Sequence, residues 1–154
     1  MIKHLNAQIK ACPEQTYALV GYSQGAGVMH AAMNSPGPSV PKLTTRATLD
    51  PAAMEKIKAV VMFGDPGFQG KAEPAKYAPP FPAVLMDRLR ENCNTGDPIC
   101  DPKGNGVANH LKYTSSHWQK TSTEFIVKAF KGEPLPKAPK SFQDPLWVGI
   151  EKGS

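Results

Sequence analysis

Long hydrophobic runs are missing from this 154-residue chain. No apolar stretch approaches the roughly 20 residues that span a bilayer, so no membrane partner is expected. No export leader is expected at the start either: "MIKHLNAQIKACPEQ" spaces Ile2, Leu5 and Ile9 as an amphipathic helix does and has no apolar h-region. The formal charge is +5, but the lysines are scattered and no basic stripe is interleaved with aromatics. Nucleic acid is therefore not an expected partner, and the excess charge reads as a solubilising surface with at most a weak attraction to anionic polymers. There is no internal repeat. Cysteine is scarce, and the odd count of three leaves one over if two pair. What is present is ordinary globular composition, 40% apolar and 20% charged. A chain of this length makes one domain and buries about 68–70% of its unfolded surface.

Spacing and punctuation predict an alternating order of elements. Residues 2–11 read as a helix that stops before Pro13, 17–22 as a short buried strand, and 25–33 as an Ala-rich helix ended by "NSPGPSVP". A second helix is expected to end over 54–58, with Asp50 as N-cap and Pro51 at its first position. "AVVMFGDPG" reads as a second buried strand closed by a turn, and 83–86 with 91–95 as a third strand near its end. Ser115 or Ser116 is expected to cap a last helix that turns Trp118, Phe125, Ile126, Ala129 and Phe130 inward and stops at Gly132. This alternation predicts an α/β fold with a parallel sheet, a domain over 1–132 and a proline-rich tail over 133–154 that Trp147, Val148 and Ile150 could dock. Met29, Met33, Met54 and Met62 read as core filler, and "KYAPPFP" as packing over the sheet, with a cleft-lining role as the alternative.

The chemistry concentrates in "YALVGYSQGAGVMHAAM". Gly-x-Ser-x-Gly has meaning only between a strand and a helix, and both are expected around Ser23. At such a junction a sharp turn lifts the hydroxyl off the sheet. Side chains at Gly21 and Gly25 are expected to collide with neighbouring backbone, and the Gln24 N–H, at the helix N-terminus, points at developing negative charge. A serine needs a base. His4 precedes it, His30 lies seven residues on inside the departing helix, and His117 reads as a solvated residue in the first turn of the last helix. His110 remains, late in the chain and in a loop. Two aspartates compete as its orienter. Asp65 ends the second strand in "FGDP", where it can also serve simply as a turn residue before Pro66. Asp97 follows the third in "CNTGDPIC" and is the favoured one. Cys93 and Cys100 enclose it, and a bridge there would stabilise by roughly 2.5 kcal/mol. A metal site from Cys93, Cys100, His110 and His117 has the wrong cysteine spacing for a zinc knuckle, so neither metal nor cofactor is expected.

Together "CPEQTYALVGYSQGAG", "FGDPG", "CNTGDPIC" and "HLKY" resemble the cutinase-like serine esterases, a family of cutinases and acetylxylan esterases, over residues 1–132. The resemblance implies a compact α/β hydrolase, a three-layer sandwich without a large lid. It implies Ser23 as nucleophile, His110 as general base and then acid, Asp97 as its orienter, Gln24 N–H as one oxyanion donor, and a Cys93–Cys100 disulfide. It also implies secretion, a monomer, and an ester substrate that could sit on a plant cell-wall polymer. Three departures accompany it. The family's amino-terminal portion, with early strands and a Ser/Thr oxyanion donor, has no match here, which suggests an N-terminally truncated domain; one lost donor typically costs about 100- to 1,000-fold in rate. Cys12 corresponds to a cysteine that bridges into that portion. The loop "DPKGNGVAN" is polar where cutinases are apolar, so short acyl esters are expected over cutin. The alternative from a different class is a scaffold that binds polymer without turnover.

Overall fold

A computed structural model of the chain describes residues 1–33, 49–68, 81–115 and 117–136. Among these, β1 (Tyr17–Tyr22), β2 (Ile57–Phe63) and β3 (Leu89–Asn92) form a parallel sheet in the order β1-β2-β3. Leu19 pairs with Val60 and Gly21 with Met62 on one side of β2, and Val60 with Leu89 and Phe63 with Asn92 on the other. Parallel neighbours need crossovers. Helices α2 (Gln24–Met33) and α3 (Pro51–Lys56) lie in the first connection, and the single turn α4 (Ala83–Met86) in the second. Helix α1 (Ile2–Ala11) precedes the sheet; α5 (Val107–Leu111), a 3₁₀ turn at Lys112–Ser115 and α6 (Trp118–Lys131) follow it.

The central strand explains the layers. Ala59, Val60, Val61 and Met62 are all fully buried, which is why β2 reads as an unbroken apolar run. Successive side chains point to opposite faces. Val60 and Met62 meet Leu5 of α1, Ala26, Met29 and Met33 of α2, and Leu85 of α4; Ala59 and Val61 meet Phe125 and Ala129 of α6. Helices thus cover both faces, as the α/β expectation requires. Asp50 caps α3 by accepting the Ala52 N–H at 2.9 Å, with Pro51 first in the helix. Gly132, at φ +70°, ends α6 with its N–H on the Lys128 and Ala129 carbonyls.

The departures have local causes. Residues 83–86 are the helical turn α4, not strand; four apolar residues are too few for either period to show, and Leu85 alone of them is buried. The strand expected over 91–95 lies instead at Leu89–Asn92, and its polar side chains are buried because each finds a partner. Arg90 donates to the Asn92 side chain at 3.2 Å and to the Thr121 hydroxyl at 2.9 Å, and Asn92 donates to Met62 O and Ser122 Oγ, both at 3.0 Å. Burial lowers the basicity of the Arg90 guanidinium, and the Glu124 carboxylate works against it. The N-cap of α6 is His117, without a side-chain cap, while the Ser115 hydroxyl donates to Lys112 O. Phe130 is half exposed, and Ser122 faces inward with Trp118, Phe125 and Ala129. Of the "KYAPPFP" stretch, Phe81 packs in the core edge-on to His30. Residues 34–41, 69–80 and 116, and Trp147, Val148 and Ile150, lie outside the described residues.

Candidate active site

Ser23 stands alone between the end of β1 and the start of α2, and among the described residues it is the non-glycine with positive φ, +53°. A left-handed conformation costs an L-residue roughly 1–2 kcal/mol, and such strain persists only where the surroundings impose it. Here the Ser23 N–H donates to Phe63 O at 2.9 Å, while its carbonyl accepts the Ala26 and Gly27 N–H groups at 3.0 and 3.3 Å. Gly21 is obligatory: a Cβ there would lie 2.6 Å from Met29 Sδ and 3.0 Å from the Ala26 backbone. The collision expected at Gly25 is absent, because that residue is exposed and a Cβ there would meet nothing within 4 Å among the described residues. Gln24 is the first residue of α2, so its N–H has no acceptor within the helix and sits at the positive end of the helix dipole.

His110 reaches this elbow from α5, a short helix where an open loop was expected. Its Nε2 lies 2.8 Å from Ser23 Oγ and its Nδ1 2.8 Å from Asp97 Oδ2. Asp97 is fully buried. Its Oδ1 accepts the Ile99 N–H at 2.8 Å, and its Oδ2 also accepts the Tyr113 hydroxyl at 2.7 Å. An ionised carboxylate only accepts, so Nδ1 donates and Nε2 is left as the acceptor for the serine O–H. The loop that carries Asp97 is closed by the Cys93–Cys100 disulfide, with Cα atoms 5.9 Å apart. It is tied to the histidine helix through Asn94, whose amide donates to Asn109 O at 2.8 Å and accepts the Trp118 indole N–H at 2.6 Å.

Asp65 has a different partner. It is buried and pairs with His30 Nε2 at 2.7 Å, tying α2 to the end of β2, while its Oδ1 accepts the Gly67 N–H at 2.9 Å. The turn role expected of it is present, and the ion-pair geometry with a helix histidine is an addition the sequence did not reveal. Leaving one partner of such a buried hydrogen bond unsatisfied costs roughly 1–3 kcal/mol. His117 is half-buried rather than freely solvated: its ring lies 4.2 Å from that of Trp118, and its Nε2 is buried with no hydrogen-bond partner among the described residues. Cys12 is a free, exposed thiol. Among the described residues no group of three His, Cys, Asp or Glu side chains could hold a metal ion.

The cutinase family model matches residues 1–130. The chain belongs to the cutinase family. It is 27% identical over 139 residues to the probable carboxylesterase Culp3 of Mycobacterium tuberculosis, covering 90% of this chain and 50% of that protein. It is 30% identical over 146 residues to a cutinase of Kineococcus radiotolerans, covering 90% and 45%. An acetylxylan esterase structure aligns with a TM-score of 0.66 at 26% identity, over 83% of this chain and 66% of that one. The chain spans about half the length of the curated relatives it matches.

Three residues of this cutinase-family site had no functional reading in the sequence. Tyr113 not only donates to Asp97 but accepts the Asn94 N–H at 3.0 Å, and burial, with the Asp97 hydrogen bond second, pushes its phenol far above the usual range. Its place three residues after His110, one helical turn on, was the available signal. Tyr22, read only as strand, lies against the His110 ring. Gly64, at φ +56°, leaves the space the imidazole occupies: a Cβ would come 2.7 Å from His110 Cε1, 2.8 Å from Nδ1 and 3.1 Å from Asp97 Oδ2. Neither ring nor carboxylate can retreat, since both are hydrogen-bonded. A displacement of about 1 Å can cost 10²-fold, so Gly64→Ala is expected to lower kcat for an activated ester by at least about that factor. Comparing kcat of the two folded proteins checks this, and a change below threefold would show that the ring has room to move.

Proposed function

We propose that this chain hydrolyses carboxylic esters through an acyl-enzyme, with Ser23 as nucleophile, His110 as general base and then acid, and Asp97 as its orienter. The observation that carries the reading is the unbroken relay from Ser23 Oγ to His110 Nε2 and from His110 Nδ1 to Asp97 Oδ2, each link 2.8 Å. His110 takes the serine proton at Nε2 as Oγ attacks the ester carbonyl carbon. The Gln24 N–H donates to the oxyanion, the C–O bond to the alcohol breaks, and His110 returns the proton to the leaving oxygen. Water, deprotonated by the same nitrogen, then attacks the acyl-enzyme and releases the acid and the free serine. Asp97 remains ionised and holds the imidazolium that forms. No step requires a cofactor.

Short acyl esters, including esters carried on a polysaccharide, are the proposed substrate class. The 101–106 stretch beside the site is polar, "DPKGNG". Among the described residues, the exposed side chains Val107 and Leu111, four residues apart on α5 with His110 between them in sequence, offer apolar contact beside it. That small apolar rim suits acetyl or butyryl groups better than a long chain. Relatives named carboxylesterase, cutinase and acetylxylan esterase accord with ester hydrolysis. We take 1–132 as the hydrolase domain and 133–154 as its tail. The disulfide accords with secretion into an oxidising compartment.

The test is pre-steady-state hydrolysis of p-nitrophenyl acetate and butyrate, followed by labelling with a fluorophosphonate. A burst of nitrophenol equal to the enzyme concentration, and a phosphonyl adduct on the Ser23 peptide, are expected. Turnover with no adduct at Ser23, or binding of xylan with no turnover, would overturn the reading.

A further inference from the structure

We propose that Tyr22 is a positioning residue for His110, its ring face holding the imidazole over Ser23 and its hydroxyl pinning the main chain of α5; the inference rests on the esterase reading above. Tyr22 is the last residue of β1 and adjoins the nucleophile. Its neighbour Gly21 points into the core, so the tyrosine points out, and it is 44% exposed. Core packing therefore does not account for an aromatic residue here. Two contacts do. The Tyr22 and His110 rings stack with centroids 5.0 Å apart and planes 23° from parallel. The Tyr22 hydroxyl donates to His110 O at 2.8 Å, meeting one of the carbonyls that the last turn of a helix leaves without a donor.

The consequence is that one elbow sets both reacting groups. Ser23 is lifted by the backbone turn, and the residue before it grips the base that must take its proton. The groups facing the imidazole are Ser23 and Tyr22 from the elbow, Asp97 from the bridged loop, and Tyr113 from the 3₁₀ turn, edge-on with centroids 6.3 Å apart. The Tyr22 ring lies nearly parallel to the imidazole and so presents its face to it. An aromatic face attracts a cation, and the imidazole becomes cationic only as the serine proton transfers. The stack therefore strengthens in the transition state, the condition for raising kcat without tightening substrate binding.

Tyr22→Phe keeps the face and loses the hydroxyl; Tyr22→Leu loses both; Tyr22→Trp keeps an aromatic face and loses the hydroxyl. With p-nitrophenyl acetate, Tyr22→Leu is expected to lower kcat about 3- to 30-fold while KM stays within about threefold. Tyr22→Phe and Tyr22→Trp, which lose the hydroxyl but keep an aromatic face, are expected to lower kcat less than Tyr22→Leu does, by about threefold or below. A second readout needs no turnover: the ¹H resonance of the proton shared by His110 Nδ1 and Asp97 should persist in the Phe and Trp variants and broaden by solvent exchange in the Leu variant. That resonance reports on Tyr22 even if the chain proves to have no esterase activity, which separates failure of this inference from failure of the reading beneath it. A Leu variant with an unchanged resonance, a loss confined to KM, or a Phe or Trp variant as impaired as Leu would each overturn the assignment.

Discussion

Ser23→Ala is expected to lower kcat for p-nitrophenyl acetate by about 10⁶-fold, the scale at which losing the nucleophile leaves only binding and oxyanion stabilisation. The substitution removes one oxygen and little else. The bonds that hold the elbow are made by the Ser23 main chain, through Phe63 O, Ala26 N and Gly27 N, and alanine makes them equally. The vacated partner, His110 Nε2, belongs to a side chain 12% exposed, so water can satisfy it. Thermal unfolding should therefore shift by no more than a surface substitution would, within about 0.5 kcal/mol. The result to look for is a folded protein with the same melting profile, no burst and no phosphonyl adduct. A loss smaller than tenfold in such a protein would mean that another group attacks the ester.

The elements carrying the nucleophile were legible because their rules are local. An apolar run, a glycine that the structure crowds with Met29 and Ala26, and an Ala-rich helix place the Ser23 elbow from 17 consecutive residues. Asp50 with Pro51, and Gly132 in the left-handed region, mark helix ends for the same reason. The order serine, aspartate, histidine and the two cysteines around Asp97 pointed to the residues that the fold brings together. What stayed hidden is whatever depends on partners distant along the chain. Strand β3, Leu-Arg-Glu-Asn, carries no apolar signature; it is stable where it is because Thr121, Ser122 and the Met62 carbonyl meet its side chains. His30 and Asp65 lie 35 residues apart, and nothing short of the packed α2–β2 contact reveals them as a pair. The need for Gly64 and the stacking of Tyr22 are facts about the space around one imidazole. Gly25 marks the opposite error: a motif glycine assigned a steric duty that the described structure does not impose.

Asp97→Asn is expected to lower kcat by about 10⁴-fold while leaving the fold intact, through the proton positions it dictates. The carboxylate makes three contacts, all as acceptor: Oδ1 to the Ile99 N–H, and Oδ2 to His110 Nδ1 and to the Tyr113 hydroxyl. An amide has one acceptor oxygen and one NH₂. If the NH₂ faced Ile99, two donors would oppose each other in a buried site, so the amide oxygen takes that place and the NH₂ faces the histidine. It then donates to Nδ1, which forces the imidazole proton onto Nε2, pointing at Ser23 Oγ. The base now offers a proton to the group it must deprotonate. Tyr113 loses its acceptor too, and can instead take a hydrogen bond from the new NH₂ with its own proton turned to the Cys100 sulfur, 3.4 Å away. Because the disulfide still closes the loop, the backbone has no reason to move. Raising the pH would restore a base that was merely protonated, but it cannot restore one in the wrong tautomer, so the deficit should persist across the neutral and mildly alkaline range. A loss below about 100-fold, or full recovery as pH rises, would show that Asp97 only helps to hold the loop and does not set the histidine.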